Sequence, residues 1–163
     1  MSLEGPPEPA GSRPLERHGL RAMVPGGWEC RIGKTYESGE GEKTYSLLHA
    51  ATVPLVASRA DYGGGVVENL GPNDVFVSLV EFGPEEAGSA LFGEVAEMPV
   101  LEQSMFRRNQ LQRRLRGQAG VQRFFTLNGR PFCLYVVLGS IARSAQLVEK
   151  ANELVQGLAI ESP

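Results

Sequence analysis

From His18 onward, apolar and polar positions alternate in short runs broken by Gly and Pro, which predicts strands joined by turns. In HGLRAMVPGGWECRIG, Leu20, Ala22 and Val24 alternate with Arg21 and Met23, and Pro25-Gly26-Gly27 marks a turn. Trp28, Cys30 and Ile32 then share a face opposite Glu29 and Arg31. A further strand is expected in TYSLLHAATVPL, ended or made an edge by Pro54. DYGGGVVENLGPND (61–74) reads as a turn-rich connection, and VFVSLVEF (75–82), apolar on both parities, as a central strand. GPEEAGSALFGEVAEMP carries too many glycines for a helix and is expected to be irregular.

The strongest local signal is QRFFTLNGRPFCLYVVLGS. Asn-Gly favours a two-residue type I′ turn, because both central residues take positive φ. With Asn128-Gly129 as the loop, Leu127 pairs with Arg130 and Phe125 with Phe132. One face then presents Phe125, Leu127, Phe132, Leu134, Val136 and Leu138, and the other Phe124, Cys133, Tyr135 and Val137. Two apolar faces predict a hairpin inside a sheet covered on both sides. The period then changes: Ile141, Ala145, Val148, Ala151 or Asn152, and Val155 recur at helical spacing, with Ser140 as the expected cap and Gly157 as the stop. Residues 1–16, rich in Pro, Gly and Glu, read as a disordered tail, and ESGEGEK (37–43) as a solvated loop. The remainder, 17–161, is expected to form a single α/β domain.

Val24-Pro25-Gly26-Gly27-Trp28 opens a series of antiparallel strands, and a hairpin passes through Leu138-Gly139-Ser140 into a last helix ending over Asn152 to Leu158. This order resembles the Mog1/PsbP-like family. The resemblance implies an α+β fold in which helices sandwich an antiparallel β-sheet. Family members include a nuclear-transport cofactor, an extrinsic photosystem subunit and bacterial envelope lipoproteins, mostly binding or accessory proteins without a shared catalytic site. The lipoprotein cysteine is missing here, so those particular roles do not carry over, and fold analogy alone assigns none.

Composition narrows the chemistry. Of 163 residues, 42% are hydrophobic and 21% charged, as in an ordinary globular protein. No apolar run approaches the roughly 20 residues that span a bilayer, and the N-terminus has neither a basic nor an apolar signal region. Cys30 and Cys133, in strand-like stretches without a CxxC spacing, read as buried thiols, so a cytoplasmic setting is expected. No P-loop, GxGxxG, GxSxG or HExxH occurs, His/Cys/carboxylate groups are scattered, and neither a metal nor a cofactor is expected. His49, between apolar neighbours, reads as a structural histidine. A small hydrolase would need it in a cleft beside Asp61 or Asp74.

Charge is divided along the chain. Residues 1–100 hold seven Lys/Arg against fifteen Asp/Glu, and residues 101–163 nine against four. RRNQLQRRLRG (107–117) alone has five arginines and fits neither a helical nor a strand period, leaving short helix, extended edge and loop all open. Arg107, Arg108, Arg113, Arg114, Arg116, Arg123 and Arg130 are the candidate contact residues. A protein partner is the first expectation, since Arg is enriched at interface hot spots. Nucleic acid is the alternative, with Phe124 and Tyr135 as stacking surfaces, but no RNP-like run occurs and the pI is near 5.5. If the face bearing Phe124 and Tyr135 lacks a cover of its own, a second copy could supply one.

Overall fold

The structure, a computed structural model, describes residues 11–35, 44–56 and 60–163. Its first strands are β1 (Arg13–Arg17), β2 (Leu20–Val24), β3 (Glu29–Lys34) and β4 (Ser46–Ala51). There follow β5 (Val75–Glu81), β6 (Ala119–Leu127), β7 (Arg130–Leu138), helix α1 (Ser144–Val155) and β8 (Leu158–Ile160). Two antiparallel sheets result, one ordered β1-β2-β8 and the other β3-β4-β5-β7-β6. The fold is α+β, and β5 is central as its sequence predicts. Among the described residues no helix is long and apolar enough to cross a membrane.

The hairpin β6–β7 has the expected register, with Leu127 opposite Arg130 and Phe125 opposite Phe132. Asn128 and Gly129 take φ of 52° and 79°, as a type I′ turn requires. Its first face joins the main core, where Phe125, Leu134 and Val136 meet Leu20 and Val24 of β2 and Leu147, Ala151 and Leu154 of α1. Each Val, Leu or Phe among them, once buried, contributes about 1.5–3 kcal/mol. The second face carries Tyr135 and Val137, with Phe76 of β5 beside them, under Val66, Val67 and Leu111.

Cover on the two faces differs. The described residues contain one α-helix, on the first face beside the three-stranded sheet, whereas 3-10 turns and loops of 60–70 and 107–118 cover the second. The glycine triplet shapes part of this lid: Gly63 has φ of 85° and lies so close to the Phe76 ring that a Cβ would strike it. Tyr135 and Val137 are therefore roofed by their own chain, which leaves no bare aromatic face there for a second copy.

Three boundaries depart from the sequence expectation. The expected tail ran to residue 16, but β1 pairs from Arg13 with β2 across a turn at His18-Gly19, both at positive φ; residues 1–10 lie outside the described ones. Ser140 makes no side-chain cap; it precedes a 3-10 turn at Ile141–Arg143, and α1 starts at Ser144. Gly157 does end the helix region, but to allow close approach: a Cβ there would lie 2.8 Å from the Met23 carbonyl oxygen. Beyond it, β8 adds a strand to β2 that three residues of pattern did not announce. The loop expected at 37–43 also lies outside the described residues.

Candidate functional site: an arginine-bearing lid and its surroundings

The segment 107–118 is a loop, and its conformation is set by what it covers. Arg107 exchanges main-chain hydrogen bonds with Gly120 of β6 at 2.9 and 3.0 Å. Leu111 and Leu115 pack into the second-face cluster, and Gly120 makes room, since a Cβ there would lie 2.7 Å from Leu111. The Gln112 N–H donates to the Tyr135 hydroxyl at 2.7 Å, and Gln118, 4% exposed, donates to the Val67 carbonyl at 2.8 Å. With its apolar residues turned inward, the loop holds its arginines outward. Arg107, Arg108, Arg113, Arg114 and Arg116 are all exposed.

The seven candidate arginines do not form one surface. Arg113 pairs with Glu68, whose carboxyl is held below its usual range, chiefly by its own main-chain N–H, with help from Gly65 and Arg113. Arg107, Arg108, Arg114 and Arg116 make no ion pair or side-chain hydrogen bond among the described residues. Arg123, on β6, is exposed but shares the parity of Val121 and Phe125, so it projects toward the helix side of the sheet while Leu111 and Leu115 anchor their loop on the other.

Arg130 is not a surface residue at all. It is 7% exposed, and its Nε and one terminal nitrogen donate to the Glu81 carboxylate at 2.8 and 2.9 Å. The remaining donors reach the carbonyls of His18, Gly19 and Glu161 and the Ser46 hydroxyl, at 3.1 to 3.2 Å. Burial pushes the Glu81 carboxyl up, but the Arg130 and Ser46 hydrogen bonds outweigh it, and the net direction is down. Arg130 thus ties β4 and β5 of one sheet to the β1–β2 turn and the end of β8 in the other. Its position beside the Asn-Gly turn suggested exposure; partners distant in sequence decide otherwise.

The other candidates have structural roles in view. His49 donates from Nε2 to the Asp61 main-chain carbonyl at 2.8 Å, and Ser78, its cross-strand neighbour, donates to the same oxygen at 2.6 Å. Two donors on one carbonyl pin the start of the 61–70 lid, and burial lowers the His49 pKa. Of the two expected carboxylates, Asp61 lies near enough for its charge to favour the protonated ring, against the larger effect of burial, whereas Asp74 accepts from Thr52 and Gly71, both at 2.8 Å. A shallow depression of about 120 Å³ beside His49 is lined by Arg31 and Lys34. Both cysteines are free and desolvated, their thiols pushed up to about 12, which leaves them as protonated packing groups at neutral pH. No group of three or more His, Cys, Asp or Glu is placed to hold a metal among the described residues. Phe124 packs against Phe92 and Phe82, and Tyr135 is 2% exposed, so neither offers an open stacking face.

Two features had no signal in the sequence. One is a cleft of about 310 Å³ at the Pro25-Gly26-Gly27 turn, where Thr52, Asp74, Lys150 and Glu153 meet Trp28. Its polar groups are largely engaged with one another, with Lys150 donating to the Asn73 carbonyl at 2.8 Å. The other is the free edge of β6, which the arginine segment only partly covers. Comparison of the chain with protein-family models, with curated proteins and with solved structures found no match, so the reading of this protein rests on its own residues.

Proposed function

We propose that this protein is a non-catalytic binding or accessory protein of the Mog1/PsbP-like type, contacting a protein partner through its arginine-bearing segment. The observation that carries the reading is the set of four exposed guanidinium groups, Arg107, Arg108, Arg114 and Arg116, without counter-charges among the described residues. They stand on a loop fixed from beneath by Leu111, Leu115 and Gln118. A side chain held in place loses less freedom on binding than one on a mobile chain, so pre-organised arginines suit an acidic partner surface. The non-catalytic part is supported by the occupations of His49 and the thiols: the histidine pins a lid, and the cysteines are desolvated. The family part is supported by the Pro-Gly turn, the antiparallel sheet and the closing helix. A nucleic-acid partner would use the same arginines but finds Phe124 and Tyr135 already packed.

The test is capture from native-cell lysate, with and without nuclease, by the wild-type chain and by a variant carrying Arg107, Arg108, Arg114 and Arg116 changed to Glu. The reading expects a protein that survives nuclease and is lost, by at least tenfold in recovery, with the variant. Recovery that disappears with nuclease would move the nucleic-acid reading into its place. Equal recovery by both baits would remove the arginine surface from the function.

A further inference from the structure

β6 is an outer strand of the five-stranded sheet, and its free edge is sealed at two points. Thr126 exchanges main-chain hydrogen bonds with Gly93 and Val95, each at 2.9 Å, and Gly120 does so with Arg107. Gln122 and Phe124 share the parity of those two residues, so their N–H and C=O groups point out from the same edge. Neither main chain has a partner on that side among the described residues. The covering chain leaves the edge after Val95, sends Met98 and Leu101 into the helix-side core, and returns at Arg107. Leu101 is held on that detour by paired hydrogen bonds with the Asn152 side chain at 2.9 and 2.8 Å. At about 3.3 Å per residue the distance from Gly120 to Thr126 is roughly 20 Å, and the stretch between the seals is flanked on the second face by Phe92 against Phe124 and by the Gln110 carbonyl on the Gln122 side chain.

We propose that this gap takes an extended acidic peptide segment of a partner protein as an added strand, paired to the main chain of Gln122 and Phe124. It rests on the binding-protein reading above and specifies the form the partner takes. Unpaired edge groups are a template for a further strand, main-chain bonds giving affinity and side chains giving choice. The choice here is acidic. Arg107 lies opposite Gly120 at one end of the gap, Arg108 follows it, and Arg123 occupies its centre on the other face of the sheet. All three are exposed and lack an ion pair among the described residues.

Other occupants fit less well. A second copy pairing edge to edge would bring Arg123 near its own equivalent, and like charges facing across strands are destabilising. A nucleic acid would satisfy the guanidinium groups while presenting phosphates to the outward carbonyls of Gln122 and Phe124. A peptide supplies both a donor for each carbonyl and an acceptor for each N–H.

The experiment is titration of the full chain, followed by amide NMR and hydrogen exchange. Its probes are a capped octapeptide of alternating Glu and Val, the same peptide N-methylated at alternate residues, and a Lys-Val counterpart. The proposal expects shifts and at least tenfold slower exchange at the Gln122 and Phe124 amides. It also expects at least tenfold weaker binding for the N-methylated peptide, for the Lys-Val peptide and for Arg123→Glu, a substitution at an exposed site. Binding that shifts only 113–116 would overturn the edge and leave the arginine-surface reading standing. Binding of the Lys-Val peptide as tight as that of Glu-Val, or no binding by any peptide at millimolar concentration, would overturn the proposal, while the lysate capture still reports on the broader reading. Protection of Gln122 and Phe124 that rises with protein concentration alone would make a second copy the occupant and would equally overturn it.

Discussion

Replacing Arg130 by Met would leave the Glu81 carboxylate against Ser46 with no cation beside it and the Glu161 carbonyl without its donor, while the His18 and Gly19 carbonyls keep the Ser46 hydroxyl and the Glu161 N–H. Breaking a buried, hydrogen-bonded ion pair from one side costs about 3–5 kcal/mol, so urea unfolding of Arg130→Met should show a loss of that order. Replacing both partners, as in Arg130→Met with Glu81→Leu, should cost less than Arg130→Met alone, because no orphan charge remains. His49 makes the second prediction at this scale. Burial lowers its folded pKa below the ordinary value near 6.5, so the unfolded chain takes up the proton first. The stability linked to His49 is complete above about pH 6.5 and is lost as pH falls from there toward the folded pKa. His49→Gln, which keeps an N–H for the Asp61 carbonyl, should flatten the stability-against-pH curve in that window. An unchanged slope in thermal melts across it would show that His49 does not control it. Glu81, shifted downward, contributes separately: its share holds above the usual carboxylate range and is lost at lower pH.

At the scale of elements, the β6–β7 hairpin offers the cleanest test of local coding. Gly129 has φ of 79°, and a Cβ there would meet only Pro163, at 3.7 Å. Gly129→Val therefore introduces conformational strain without a clash, and a β-branched residue in the left-handed region should cost roughly 1–3 kcal/mol, read as a lowered Tm. This hairpin was legible because turn chemistry, register and both apolar faces lie in one continuous stretch. β5 was legible for a related reason, as a strand buried on both faces reads as a continuous apolar run. β8 was not, because Leu158–Ile160 is too short for a period and becomes a strand only through β2, far away in sequence. The segment 107–117 fitted no period since its shape follows from Leu111, Gln112 and Leu115 meeting the sheet. The candidate site was visible in part for the same cause. Arginine content is local information, whereas the inward turn of Arg130 and the open edge at Gln122 and Phe124 depend on contacts no short window contains.

For the whole molecule, the relevant asymmetry is electrostatic. The chain carries a net charge of −3, yet its later part is basic, and the exposed arginines of 107–116 concentrate that excess on one loop. Charges at a surface are screened over about 10 Å at 0.1 M salt, so a partner recruited by them should bind more weakly as salt rises. We expect its apparent Kd to rise several-fold between 50 and 300 mM NaCl, mainly through a slower association rate, with the four-Arg-to-Glu variant showing little of this dependence. Surface plasmon resonance across that range would separate the two rates.

The placement of β8 has a consequence for how the chain is made. β2 lies between a strand synthesised just before it and one synthesised after everything else in the core. While a ribosome is still extending the chain, β1 and β2 can close their own turn, but one side of β2 stays unprotected until Leu158–Ile160 emerges. The carbonyls of Gly19 and Glu161 that share Arg130 cannot be brought together before then. Completion of the first sheet is thereby deferred until β8 has emerged, and nascent chains stalled short of β8 should be more open to protease at 18–24 than chains carrying it.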